Sequence, residues 1–152
     1  MFGAVGAFSG LVDLWDRYPV GAGILLAPML LDGPESDALQ RWGNPVTDAA
    51  NWHAQNPTDL AARLHGTRVV YIAGGNGVPS DAQEAQDDAG PGLGPQALVE
   101  QEVGAMTANY DKALTAAGVV HVYRPHAGLH DPRHWRDDLA AFWSRVRAAW
   151  RR

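Results

Sequence analysis

Three short apolar runs limit what this chain can fold into, because stretches of loop and helix, not tight hairpin turns, lie between them. The first, Phe2–Ser9 (FGAVGAFS), is apolar or small throughout and has no polar lead-in. That is the pattern of a parallel strand buried on both faces. The second, Thr67–Ala73 (TRVVYIA), is rich in β-branched residues and ends in a chain reversal at Gly74-Gly75-Asn76-Gly77. The third is Val119–Tyr123 (VVHVY). Between the last two runs, Val99, Val103, Met106, Tyr110, Ala113 and Ala117 recur at helical spacing, which predicts a long helix over Gln96–Ala117 stopped by Gly118. A final helix carries Trp135, Leu139, Phe142, Trp143, Val146 and Trp150 as one wide apolar stripe. Strands alternating with helices predict an α/β layer fold with three parallel strands and covering helices.

The remaining segments are less regular. Gly10–Asn56 is interrupted by Pro19, Pro28, Pro34, Pro45 and many glycines, so short helices and loops are expected there. Two helical turns, Asp48–Gln55 and Thr58–Leu64, each follow a capping-type residue. Pro79–Pro95 is acidic and rich in Gly and Pro, and reads as one mobile loop. A length of 152 residues suits a single domain, residues 1–152. A formal charge of -5 argues against a nucleic-acid partner, which would call for a basic face. The longest apolar stretches, Met1–Val12 and Tyr18–Leu31, are shorter than the roughly 20 residues of a membrane span, so no transmembrane segment is expected. No basic residue precedes the first apolar run, so it does not read as a signal peptide. With no cysteine, thiolate nucleophiles, thiolate metal sites and disulfides are excluded.

The segment richest in chemistry is Val119–Trp135 (VVHVYRPHAGLHDPRHW). A strand ends, a glycine-containing loop follows, and His130 stands just before a helix. Loops beyond the C-terminal ends of parallel strands are where α/β enzymes hold functional groups, and an imidazole suits a general base. A surface histidine at a helix start is the plainer alternative. A carboxylate early in the long helix, Glu100 or Glu102, is placed to reach His130 and fix its tautomer. Acids near a helix N-terminus are also favoured by the dipole alone. His121, His126, His130 and His134 lie close together, but Pro125, Gly128 and Asp131-Pro132 break any helix that would align them, and HExxH is absent. No metal or other cofactor is therefore expected. Gly74–Gly77 lacks both phosphate-loop patterns. None of the four serines, Ser9, Ser36, Ser80 and Ser144, sits in a GxSxG elbow; in Gly6-Ala7-Phe8-Ser9-Gly10 the serine is one place late.

Taken in order, these segments resemble the C-terminal half of the esterase family of α/β-hydrolases that includes the antigen 85 mycolyltransferases and esterase D. The resemblance is carried by FGAVGAFSG at Phe2–Gly10, by Trp42-Gly43, Trp52 and Asn56-Pro57, and by RVVYIAGGNGVPSD at Arg68–Asp81. The helix with Glu100 and Tyr110, the strand Val119–Tyr123, Gly128–His130 and then Trp135 follow in family order. It implies a partial α/β-hydrolase fold whose N-terminal half, with the oxyanion loop and the GxSxG serine, belongs upstream of Met1. It implies further that Glu100 is the triad acid and His130 the triad base of a serine esterase or acyltransferase acting on an acyl-ester small molecule or lipid. The family's exported members imply a secreted or cell-envelope location. Asp131-Pro132 replaces the Ser-Trp that follows the histidine in the mycolyltransferases, which sets mycolyl transfer itself apart. Without its serine the chain is expected to be silent alone, or to be a truncated, split or purely binding remnant. The absent neighbour of Phe2–Ser9 would leave that strand at a sheet edge, open to self-association.

Overall fold

A computed structural model describes residues 3–15, 42–44, 46–88 and 94–151. Among these residues the order of elements is β1 (Ala4–Phe8), α1 (Ala49–Gln55), a 3₁₀ turn (Ala61–Leu64), β2 (Val69–Gly75), α2 (Ala82–Asp87), α3 (Pro95–Ala116), β3 (Val122–His126) and α4 (Pro132–Trp150). The strands form one parallel sheet in the order β1-β2-β3. The register runs from Ala4 opposite Val69 to Phe8 opposite Ala73, and from Tyr71 opposite Val122 to Gly75 opposite His126. The expected α/β architecture is thus present as a partial α/β fold.

β2 is central among the described strands and buried along its whole length, which fits a run with no polar side chain other than the Tyr71 hydroxyl. Its two faces are covered by different helices, since alternate side chains point to opposite sides. Val70 and Ile72 join Met106, Tyr110 and Leu114 of α3, with Val12, Ala61 and Val119, in the main core. On the other face Tyr71 and Phe8 meet Phe142 of α4 edge-on or tilted, at centroid distances of 6.2 and 5.8 Å. The Trp-Gly…Trp…Asn-Pro segment forms a satellite cluster. Trp52 is buried against Leu14, packs on Trp42 and donates from Nε1 to the Gly43 carbonyl, while Asn56 Oδ1 accepts from the Leu14 N–H.

Several expected boundaries move. β1 is shorter than Phe2–Ser9, and Phe2 lies outside the described residues. The third strand is Val122–His126, not Val119–Tyr123, because the turn at Gly118 holds Val119 back against Leu114. Among the described residues it is an edge strand, the place in a sheet where a proline such as Pro125 is tolerated. Thr58–Leu64 resolves to the 3₁₀ turn Ala61–Leu64. The stripe of α4 is only half covered: Leu139, Trp143 and Trp150 are 42%, 50% and 49% exposed.

Pro79–Pro95 is not a single loop. α2 occupies Ala82–Asp87, with Asp81 accepting from the Glu84 N–H and Glu84 accepting from the Ser80 N–H. This reciprocal capping gives the short helix a defined start. Asp88 then caps α3, its carboxylate accepting from the N–H groups of Gln96 and Ala97. The acidic composition that reads as loop is thus used for helix capping at both ends. Residues 89–93 lie outside the described residues, as does the apolar stretch Tyr18–Leu31. Among the described residues no helix is long and apolar enough to cross a membrane.

Candidate acid–base site

The site lies beyond the C-terminal ends of β2 and β3. Two loops leave the sheet there and are stitched together by their backbones. Gly77 N–H donates to the Gly128 carbonyl at 3.1 Å, and Gly128 N–H donates to the Val78 carbonyl at 2.7 Å. Gly128 has φ +145°, a region that L side chains rarely adopt, and a Cβ there would collide with the His134 ring. The glycine therefore lets the loop press onto α4 and delivers His130 two residues later.

His130 Nδ1–H donates to Glu100 Oε2 at 2.7 Å. Glu100 is fully buried, at 0% exposure, whereas the His130 side chain is 30% exposed. The helical stripe read from sequence misses the reason. The buried face of α3 runs through Ala97, Glu100, Val103, Met106, Thr107, Tyr110 and Leu114, so Glu100 occupies a core position. It is Glu100, not Glu102, that meets the histidine.

A buried carboxylate needs donors on both oxygens. Glu100 Oε1 accepts from Ser9 Oγ–H at 2.6 Å and from the Gly75 N–H at 2.5 Å. Gly75 permits this approach, since a Cβ there would stand within 3 Å of the Glu100 side chain and of the Gly128 carbonyl. Burial by itself would raise the Glu100 pKa. The hydrogen bonds from His130, Ser9 and Gly75, with the charge of His130, outweigh burial and hold the carboxyl below its ordinary value. The result is an ionised acid fixed in one orientation. Trp135 meets the His130 ring edge-on at 5.0 Å and restrains its rotation.

All four histidines of the His121–His134 segment have a carboxylate, and each has a different one. His121 is paired with Asp111, His126 with Asp138, His130 with Glu100 and His134 with Glu84. His121 and His126 engage both ring nitrogens, on Val119 and Asp111 and on Ala127 and Asp138 respectively. His130 is the most exposed of the four, on the carboxylate that is least exposed. Among the described residues no group of three or more His, Asp or Glu is placed to hold a metal. The pairing explains this, because each imidazole is turned toward its own acid.

Among the described residues no serine completes a triad. The Ser9 hydroxyl faces the acid instead of the base, Ser80 stands at the start of α2 beside Glu84, Ser144 is exposed on α4, and Ser36 lies outside the described residues. A hollow of about 460 Å³ lined by Arg68, Val120, His121 and Arg145 lies at the opposite, N-terminal ends of β2 and β3 and is remote from this pair. The structure brings together Glu100 and His130, the pair that the family resemblance implies, and adds beside them Ser9, Gly75, Glu84 and His134, which the sequence reading does not place there. The sequence signals are a serine beside glycine at a strand end for Ser9 and the Asp81-to-Glu84 capping spacing for Glu84. No protein-family model matches the chain, and comparison with curated proteins finds no match.

Proposed function

We propose that Glu100 and His130 are the acid and base of a Ser-Glu-His acyl-transfer machinery of the esterase-type α/β-hydrolases, acting on an acyl-ester small molecule or lipid. The observation that carries this reading is the 2.7 Å bond between a partly exposed imidazole and a fully buried, doubly supported carboxylate. With Nδ1–H held by Glu100, the lone pair of His130 Nε2 is left for chemistry. It takes the proton of an attacking hydroxyl as the hydroxyl oxygen bonds to the ester carbonyl. The same proton then passes to the departing alkoxide, and Glu100 balances the imidazolium in between. Water as the second nucleophile makes the reaction an ester hydrolysis, and an alcohol makes it an acyl transfer.

No described serine faces the base and the sequence contains no GxSxG elbow, which supports a second reading: alone, the chain is catalytically silent. Loss of a triad serine costs about 10⁶ in rate in a comparable enzyme. The test is ester hydrolysis measured on two proteins. The chain alone is expected to give no measurable turnover of short p-nitrophenyl esters. Fused behind a GxSxG-bearing first half of an esterase of this type, it is expected to turn them over, with loss of activity in His130→Ala and Glu100→Gln. A folded, active fusion whose rate ignores His130→Ala would contradict the proposal.

A further inference from the structure

We propose that Ser9 is a positioning residue, whose hydroxyl fixes the Glu100 carboxylate so that one oxygen is reserved for His130. The inference rests on the acid–base reading above and extends it to a residue at the far end of β1, 91 positions from Glu100 in sequence.

Three observations carry it. The Ser9 hydroxyl donates to Glu100 Oε1 at 2.6 Å, while His130 takes Oε2. Ser9 is itself buried, at 8% exposure, so its hydroxyl has no recourse to bulk water. Its backbone has φ +47°, the one positive φ among the described non-glycine residues. A side chain there is strained relative to glycine, and the sequence already uses glycine at the next position, Gly10. If only a chain reversal were needed at the end of β1, glycine would serve better. What glycine lacks is the hydroxyl.

The geometry gives that hydroxyl a specific task. A carboxylate held at one oxygen by the Gly75 N–H alone keeps freedom to rotate about its last side-chain bond. A second donor on the same oxygen, coming from β1, removes that freedom and leaves Oε2 facing the imidazole. Ser9 thus acts on His130 through Glu100. Because Ser9 N–H also donates to the Ala73 carbonyl at 2.9 Å, the hydroxyl is tied to the sheet itself and not to a loose loop.

The test uses two variants of the full chain, Ser9→Ala and Ser9→Gly, read by thermal unfolding and by nitrogen-detected NMR of the histidine rings. Both remove the hydroxyl, but only Ser9→Gly relieves the backbone. We expect Ser9→Ala to lower Tm and Ser9→Gly to restore it. In both, the His130 Nδ1–H proton is expected to exchange about tenfold faster or more, the factor matching one lost hydrogen bond to a charged group. Recovery of slow exchange together with Tm in Ser9→Gly would overturn the proposal, since Ser9 would then matter only through its backbone. Unchanged exchange in both variants would overturn it as well. A wild-type chain with no Nδ1–H signal would instead defeat the acid–base reading, and the role of Ser9 with it.

Discussion

Glu84 and His134 are joined side chain to side chain, Oε1 to Nε2, across 50 positions of sequence, so that α2 is fastened to the first turn of α4. The pair stands beside the proposed acid–base site and braces it. Glu84 is buried to 1% exposure, Arg133 approaches the same carboxylate at 3.7 Å, and His126 stacks on His134 at 5.0 Å. Burial would raise the Glu84 pKa, but the Ser80 N–H and hydroxyl and the His134 ring outweigh it and bring it down to about 2.

That depressed pKa makes a prediction about acid stability. A carboxyl held below its unfolded value stabilises the fold above the ordinary pKa, and the contribution is lost as pH falls through the folded value. For Glu84 the window runs from the ordinary 4.5 down to about 2. Glu100, shifted in the same direction, adds to the loss. Urea unfolding of the wild type should therefore show stability falling across this window. Glu84→Gln should be less stable by about 2 kcal/mol at pH 7 and should fall less steeply in acid. Parallel curves for the two proteins would contradict the assignment.

A second prediction concerns Gly128. Alanine there combines an unfavourable φ of +145° with a clash against the His134 ring. Gly128→Ala should cost about 2 kcal/mol or more. It should also shift the ring resonances of both His130 and His134, because the 126–131 loop must lift away from α4. An equally stable variant with unmoved histidine resonances would show that the loop does not depend on this approach.

The third prediction is about association. β1 is an edge strand among the described residues, and no charged residue occurs from Gly3 to Val12. An uncharged, apolar edge is a template for pairing with a second copy. Sedimentation velocity at micromolar concentration should show species larger than the monomer, reduced by Val5→Lys, which places a charge on that edge. A wild-type chain that sediments as a monomer would exclude the edge as an association surface.

Much of the architecture was legible from residue pattern, and the exceptions have physical causes. β2 is the strongest β-branched run, and its centre is read correctly, but the strand runs two residues later, over Val69–Gly75, because Gly74 and Gly75 pair with Pro125 and His126 instead of starting the reversal. Val119 looked like strand by composition, yet Gly118 with φ +69° and the Val119 N–H bond to Leu114 make it part of the helix stop. Asp81, Glu84 and Asp88 looked like a solvated acidic loop because composition does not reveal that each carboxylate accepts a backbone N–H. Loop position singles out His130 and leaves Glu100 and Glu102 both open; the family resemblance implies Glu100, and the structure brings Glu100 to His130. Ser9 was not legible, since only the fold brings β1 and α3 together over 91 residues.

The most direct measurement of the central claim is the tautomer of the His130 ring, read by long-range nitrogen–proton NMR at a pH where the ring is neutral. The account predicts the proton on Nδ1 and a bare Nε2 in the wild type, with that preference lost in Glu100→Gln and kept in Glu102→Gln. A neutral His130 protonated on Nε2, or a preference that survives Glu100→Gln and is lost in Glu102→Gln, would contradict it.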